Sequence, residues 1–342
     1  MTITKKSFGS LSNGREIYAY ELANAKGTAA QVITYGARLQ SLIFNGVDVV
    51  LGYDDAASYE KDTAYMGAIA GRSANRIAKA KFKLNGKIYN LDKNDGKNHL
   101  HGGFSGFEEK VWSASVADNG VIMTVESKDG EAGYPGNFTA TVAYKLTDKD
   151  EFIIDYSAKS DADTLCNLTN HAYFNLDGFG SGDVLKQKIQ INADTYTWAD
   201  EESIPNGKIL PVENTPMDLR KPVEIGKHID DDFDELNFAK GYDHNFCVGK
   251  LGELKKVAYA EGAKSNISMT VFTTLPGVHF YAGNFLSGEP LGKGGAKMGR
   301  RNGFALETQY YPNAINLEGV DKPILRSGET WTAQTIFMFE KK

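Results

Sequence analysis

Short runs of alternating apolar and polar residues, closed by turn-forming pairs, dominate this chain. In AKFKLNGKIYNL, from Ala80, the apolar Phe82, Leu84, Ile88 and Tyr89 flank Asn85-Gly86. Alternation with period two reads as a strand. Asn-Gly tolerates positive φ at both central positions, so the segment reads as a hairpin with a type I′ turn. VWSASVADNGVIMTVES reads as two strands about Asn119-Gly120, and NFTATVAYKLTDKDEFIIDYSAKS as two longer strands joined near Asp148. Ile267 to Phe272, Val278 to Tyr281 and the closing WTAQTIFMFE are further strands. Asn-Gly also occurs at Asn13, Asn45, Asn206 and Asn302. Amphipathic helical periodicity is scarce, and residues 230–238 hold at most one short helical turn.

No repeat of fixed period appears, and no Pro- or Ser-rich linker divides the chain. The expectation is one all-β domain over residues 1–342, a large antiparallel β-sandwich with few short helices. The inter-strand loops at 180–183 and 200–207 are places where sites tend to form.

Composition narrows the function. Of 342 residues, 41% are hydrophobic and 24% charged, the balance of a globular protein. A net charge of −6 argues against nucleic acid or an anionic membrane as partner. Two cysteines, Cys166 and Cys247, make no disulfide framework. The opening MTITKKSFGS lacks the apolar stretch of a signal peptide, so a reducing cytoplasm is the expected compartment.

Several familiar chemistries are missing. GKGGAKMGRR, from Gly292, breaks both the Walker and the dinucleotide-loop spacing and reads as an exposed basic loop. GFSG around Ser105 misses the nucleophile elbow by one residue. His99 and His101 in NHLHGG would share a face on a strand, as metal-binding pairs do, yet no convergent carboxylate follows. The expectation is no metal and no cofactor.

What remains is an acid–base set. Arg72 and Arg76 lie in GRSANRI; the bland reading of each is a solvated loop arginine. His101 precedes two glycines, and taken alone is a turn histidine. His171 sits in TNHAYFNL, and taken alone is a buried structural imidazole. Asp243 precedes His244 in what reads as a loop. Glu307 ends the apolar run FAL; an ion pair or a base of raised pKa would both explain it.

The motifs ITYGARL, GRSANRI, NHLHGG, GYPGNF, TNHAYFNL, PGVHFYAGNFL and LETQYYPNA span most of the chain. In combination and order they resemble the aldose 1-epimerases of the galactose mutarotase family. The resemblance implies that family's β-supersandwich, with Glu307 as general base, His171 as general acid and His101 assisting. It implies Asn75, Arg76, Tyr173 and Asp243 as sugar-binding residues. His279 stands where the family pattern has Gln, and Asn313 where it often has Asp.

The implied reaction is exchange of α- and β-anomers of free hexoses such as D-galactose and D-glucose. A base removes the C1 hydroxyl proton and an acid protonates the ring oxygen. The open chain then rotates about C1–C2 and recloses. The implied partner is a monosaccharide, and the chain is expected to be a monomer or homodimer. Three alternatives stay open. A hexose-6-phosphate epimerase would use Lys293, Lys297, Arg300 and Arg301. A sugar-binding protein would have no turnover, and a cupin-like isomerase would need metal. Trp112, Trp198 and Trp331 are candidates for stacking on the sugar.

Overall fold

A computed structural model describes all residues 1–342. Its largest sheet has nine strands, each antiparallel to its neighbours. Their order is Ser113–Ala117, Gly120–Ser127, Phe138–Leu146, Glu151–Ser160, Thr330–Lys341, Ile267–Thr273, Lys255–Glu261, Lys188–Ile191 and Val223–Glu224. The C-terminal strand lies at the centre and joins the two halves in register, with Ile154 against Thr335 and Val271 against Phe337. Alternation decides the faces. In Phe138–Leu146, Phe138, Ala140, Val142, Tyr144 and Leu146 are buried, while the intervening residues are more exposed.

A second sheet of five strands runs in the order Pro205–Pro211, Thr195–Ala199, Asp243–Cys247, Gly277–Tyr281, Ala305–Gln309. Its last two strands are buried along their whole length. One face, with Phe246, Val278, Phe280 and Leu306, joins the main core, which also holds Phe174 and Phe337. Thr308 meets Thr335 of the nine-stranded sheet at 2.5 Å between hydroxyls. The opposite face is free to carry polar groups. A third sheet, Thr2–Ser10 through Val47–Asp48, closes the N-terminal end. Only two α-helices form, Ala56–Glu60 and Asp234–Ala239, the second within one turn of its expected place.

Not every Asn-Gly pair turns as its local chemistry suggests. Asn85-Gly86 has φ of +49° and +80°, as a type I′ hairpin requires. The hairpin at Asn119 instead turns through Asp118-Asn119, because Ala117 pairs with Gly120. A Cβ at Gly120 would lie 2.2 Å from the Tyr144 carbonyl oxygen, so the neighbouring strand, not the turn, requires glycine there. Asn206-Gly207 lies inside Pro205–Pro211 and makes no turn between strands. That strand forms the edge of the second sheet.

Candidate active site

Three adjacent strands set Asn245, His279 and Glu307 in one row, since Asn245 pairs with His279 and His279 with Glu307. Paired residues of antiparallel neighbours point to the same face. Asp243 lies two residues from Asn245 and therefore on that face as well. It begins a strand, Asp243–Cys247, and is not in a loop as the sequence suggested. His244 points the other way, with its Nδ1 accepting the Asp243 backbone N–H at 3.0 Å.

Loops from the first half of the chain complete a cleft of about 250 Å³ over this face. Asn75, Arg76, His101, His171, Tyr173, Asp243, His279 and Glu307 all line it. The set inferred from sequence motifs is thus brought together from positions more than 200 residues apart.

Backbone conformation aims several of these side chains. Asn75 has φ +60° and its Oδ1 accepts the Arg76 N–H at 2.8 Å. His101 has φ +52° and leaves the short strand His99–Leu100. The strand alternation that would pair it with His99 therefore stops. Gly102 follows at φ +108°, where a Cβ would lie 1.9 Å from the Gly71 carbonyl oxygen. His99 is a buried structural residue, with Nδ1 2.8 Å from the Asp92 carbonyl and Nε2 2.6 Å from the Tyr134 hydroxyl. The His99–His101 metal pair is therefore not formed.

Glu307 is 2% exposed and its Oε1 lies 3.6 Å from His171 Nε2. Burial pushes the Glu307 carboxyl well above its usual range; Asp243 adds to this and Arg76 opposes it. Burial pushes the His171 imidazole down to about 4. Both shifts favour the form of the pair with its proton on Glu307, so the form with carboxylate and imidazolium is the minor and more reactive one. A carboxylate of raised proton affinity is a stronger base, and an imidazolium of lowered affinity is a stronger acid.

The binding groups form their own network. Burial would raise Asp243, but the His279 hydrogen bond and Arg76 overcome it and hold the carboxyl far below its usual range. His279 Nε2 lies 2.7 Å from Asp243 Oδ1. Arg76 Nε donates to Asp95 Oδ2 at 2.9 Å. Burial works against the Arg76 charge, yet Asp243 and Asp95 keep it firmly protonated.

His101, His171 and Glu307 offer ligand atoms within 4.8 Å of one another, the one set of side chains that could hold a metal. The hydrogen bonding at His101 opposes this. Its Nδ1 accepts the Asn75 N–H at 3.2 Å, so the neutral ring carries its proton on Nε2. Protonated in this way, Nε2 has no lone pair to offer a metal.

Other expectations are corrected. Arg72 lies outside the cleft and is buried rather than solvated. It donates to Ser127 Oγ and to the carbonyls of Ser127, Lys128 and Pro135. The basic loop 292–301 is not wholly exposed. Lys293 is buried and donates to Asp48 and to the carbonyls of Gln40 and Val50, while Arg301 pairs with Asp230. Arg76 is the only lysine or arginine lining the cleft, so no cationic cluster awaits a phosphate.

The three tryptophans also lie elsewhere. The cleft aromatics are Tyr53, Tyr65, Tyr173, Tyr281 and Phe285. Loops 180–183 and 200–207 contribute nothing to the lining. Sequence reasoning missed Tyr65, whose ring lies 4.6 Å from His101 and 5.9 Å from His171 between centroids. No local pattern marks it.

Comparison with known proteins agrees with this geometry. The aldose 1-epimerase family model matches residues 18–338. The galactose mutarotase of Rattus norvegicus is 41% identical over 99% of both chains. The aldose 1-epimerase of Escherichia coli (strain K12) is 37% identical over 94% of this chain and 95% of its own. The crystal structure of galactose 1-epimerase from Lactobacillus acidophilus NCFM superposes with a TM-score of 0.88. It is 27% identical and covers 100% of this chain and 99% of its own. With its match to the family model over most of its length and its relatives aligned nearly end to end, this chain belongs to the aldose 1-epimerase family.

Proposed function

We propose that Glu307 and His171 are the acid–base pair of an aldose 1-epimerase. The chain interconverts the α- and β-anomers of hexoses, as its full-length likeness to galactose mutarotases and aldose 1-epimerases establishes. The observation that carries the residue assignment is one buried carboxylate and one buried imidazole, 3.6 Å apart, facing a sugar-sized cleft.

In this reading the Glu307 carboxylate takes the proton from the C1 hydroxyl. The His171 imidazolium gives its proton to the ring oxygen as the bond from C1 breaks. The aldehyde turns about C1–C2, and as the ring closes on the other face Glu307 gives its proton to the carbonyl oxygen while His171 takes one back from the attacking hydroxyl. The pair ends with the protons it began with, so turnover consumes nothing. His101 Nε2–H donates to a sugar oxygen. Arg76, Asn75, Asp243 and His279 hold the hydroxyls that do not react, and Tyr173 closes one wall. Holding the ring fixed converts an encounter into an oriented proton transfer.

The same reading takes residues 1–342 as a single domain, supported by a main core that runs from Tyr20 to Phe339. It takes the protein as a cytoplasmic monomer or homodimer acting on free sugar without cofactor. Both cysteines are free thiols, and no helix is long and apolar enough to cross a membrane.

Polarimetry of freshly dissolved α-D-galactose in the presence of a chelator tests this reading. Fast relaxation to the anomer equilibrium is expected, with galactose 6-phosphate turned over more slowly. Loss of rate on chelation, or preference for the phosphate, would overturn it.

A further inference from the structure

Two of the three histidines in the cleft, His101 and His171, rest against one tyrosine that no motif predicted. The Tyr65 ring lies 4.6 Å from the His101 ring and is stacked on His171 at 5.9 Å, with 29° between planes. Tyr173 covers another side of His171 at 5.0 Å, and Tyr281 buttresses Tyr173 at 5.9 Å. Tyrosine faces are the negative side of the ring quadrupole, and a cation within about 6 Å of the centroid is attracted to them.

The protein goes to some length to hold Tyr65 there. Its φ is +57°, a left-handed conformation that a bulky residue seldom adopts without support. Support comes from both sides. Asp62 accepts the N–H groups of Ala64 at 3.0 Å and Met66 at 2.7 Å. Arg38, 0% exposed, donates to Asp62 at 2.8 Å and to the Met66 carbonyl at 3.0 Å. The Tyr173 hydroxyl donates to the Ala64 carbonyl at 3.0 Å. The chain on either side of Tyr65 is thereby clamped, and burial keeps its phenol neutral.

We propose that Tyr65 is a positioning residue of the epimerase reaction, holding the His101 and His171 rings in place and favouring the imidazolium form of His171. This rests on the assignment of His171 as the acid. The need is physical: burial opposes the charged imidazole, while the acid step requires it. Other groups act on His171 as well. Glu307 faces it from the sheet, and His101 from the loop before Gly102. Asp62 and Asp243 favour its charge, and His279 opposes it. Tyr65 adds a contribution that does not itself titrate in the working range.

The test compares Tyr65→Leu with Tyr65→Phe, and with Tyr65→Asn, whose side chain tolerates the left-handed backbone. Polarimetric kcat/KM is measured against pH, and the His171 ring protons are titrated by NMR. Removing the ring is expected to lower plateau kcat/KM about tenfold and to move the His171 titration down by about one pH unit, as one factor of ten in imidazolium stability requires. The high-pH limb, where Glu307 loses the last proton of the pair, stays in place. Tyr65→Phe keeps the wild-type profile. An unchanged His171 titration in both Leu and Asn variants would overturn the proposal, even with activity reduced. His171→Asn, assayed alongside, separates the two ideas. Full activity there would overturn the acid assignment, whereas the NMR shift reports on Tyr65 whatever His171 does in catalysis.

Discussion

Glu307→Gln isolates the proposed base. The substitution keeps the shape of the side chain in a site where it is 2% exposed, and keeps hydrogen-bonding capacity toward the sugar. It removes only the ability to accept a proton. General base catalysis is typically worth roughly 10²–10⁴-fold. The buried, raised carboxyl places Glu307 in the middle of that range, so kcat is expected to fall about 10³-fold, or about 4 kcal/mol of barrier. KM stays within about threefold, because the proposed sugar contacts of Arg76, Asp243 and His279 are untouched.

Stability should move the other way. The folded pKa of Glu307 lies above its unfolded value, so the folded state holds this proton as pH rises while the unfolded state releases it. Stability is then lost as pH climbs from the unfolded value toward the folded one. Glutamine has no such dependence. Melting temperatures of variant and wild type should be close below pH 4 and diverge in favour of Glu307→Gln as pH rises. The assay is polarimetry with the spontaneous rate subtracted, paired with thermal melts across that range. A kcat within tenfold of wild type would refute the base assignment. A variant that melts lower than wild type at pH 7 would refute the claim that burial dominates this carboxyl.

His171→Asn is expected to lower kcat by roughly 10²–10⁴-fold with little change in KM, read in the same assay. The acid-side limb of wild-type kcat/KM should fall near pH 4, where the pair takes up a second proton, and in this variant it should move up to the raised titration of Glu307. Arg72→Met removes four hydrogen bonds at a buried site, those to Ser127 Oγ and to the carbonyls of Ser127, Lys128 and Pro135. It should cost about 3 kcal/mol in urea melts while leaving KM for galactose unchanged, because Arg72 lies outside the cleft.

The hairpins were legible because their causes are local. Asn85-Gly86 carries its own positive φ, and the runs beside Asp148 carry their own alternation. The candidate acid, base and sugar ligands were legible through short motifs. Each such motif combines a chemical group with the residues that bend the chain around it, as His101 does with Gly102. Composition alone could not have selected them. His99 and His101 differ by two positions and have the same side chain, yet one is structural and the other faces the cleft.

Long-range packing decided the rest. The sequence shows that Lys293 and Arg301 are basic, but their burial depends on Asp48 and Asp230, which only the fold brings to them. It places Asp243 beside His244 without saying which of the two faces the cleft; the strand pairing decides that. By itself the chain determined an antiparallel β protein and a set of groups suited to proton exchange, because both follow from local periodicity and residue chemistry. Which rings surround His171, how far burial perturbs Glu307, and why Tyr65 holds a left-handed backbone were decided only by the tertiary structure. Those properties depend on desolvation and on contacts between segments far apart in the chain, and no local pattern encodes them.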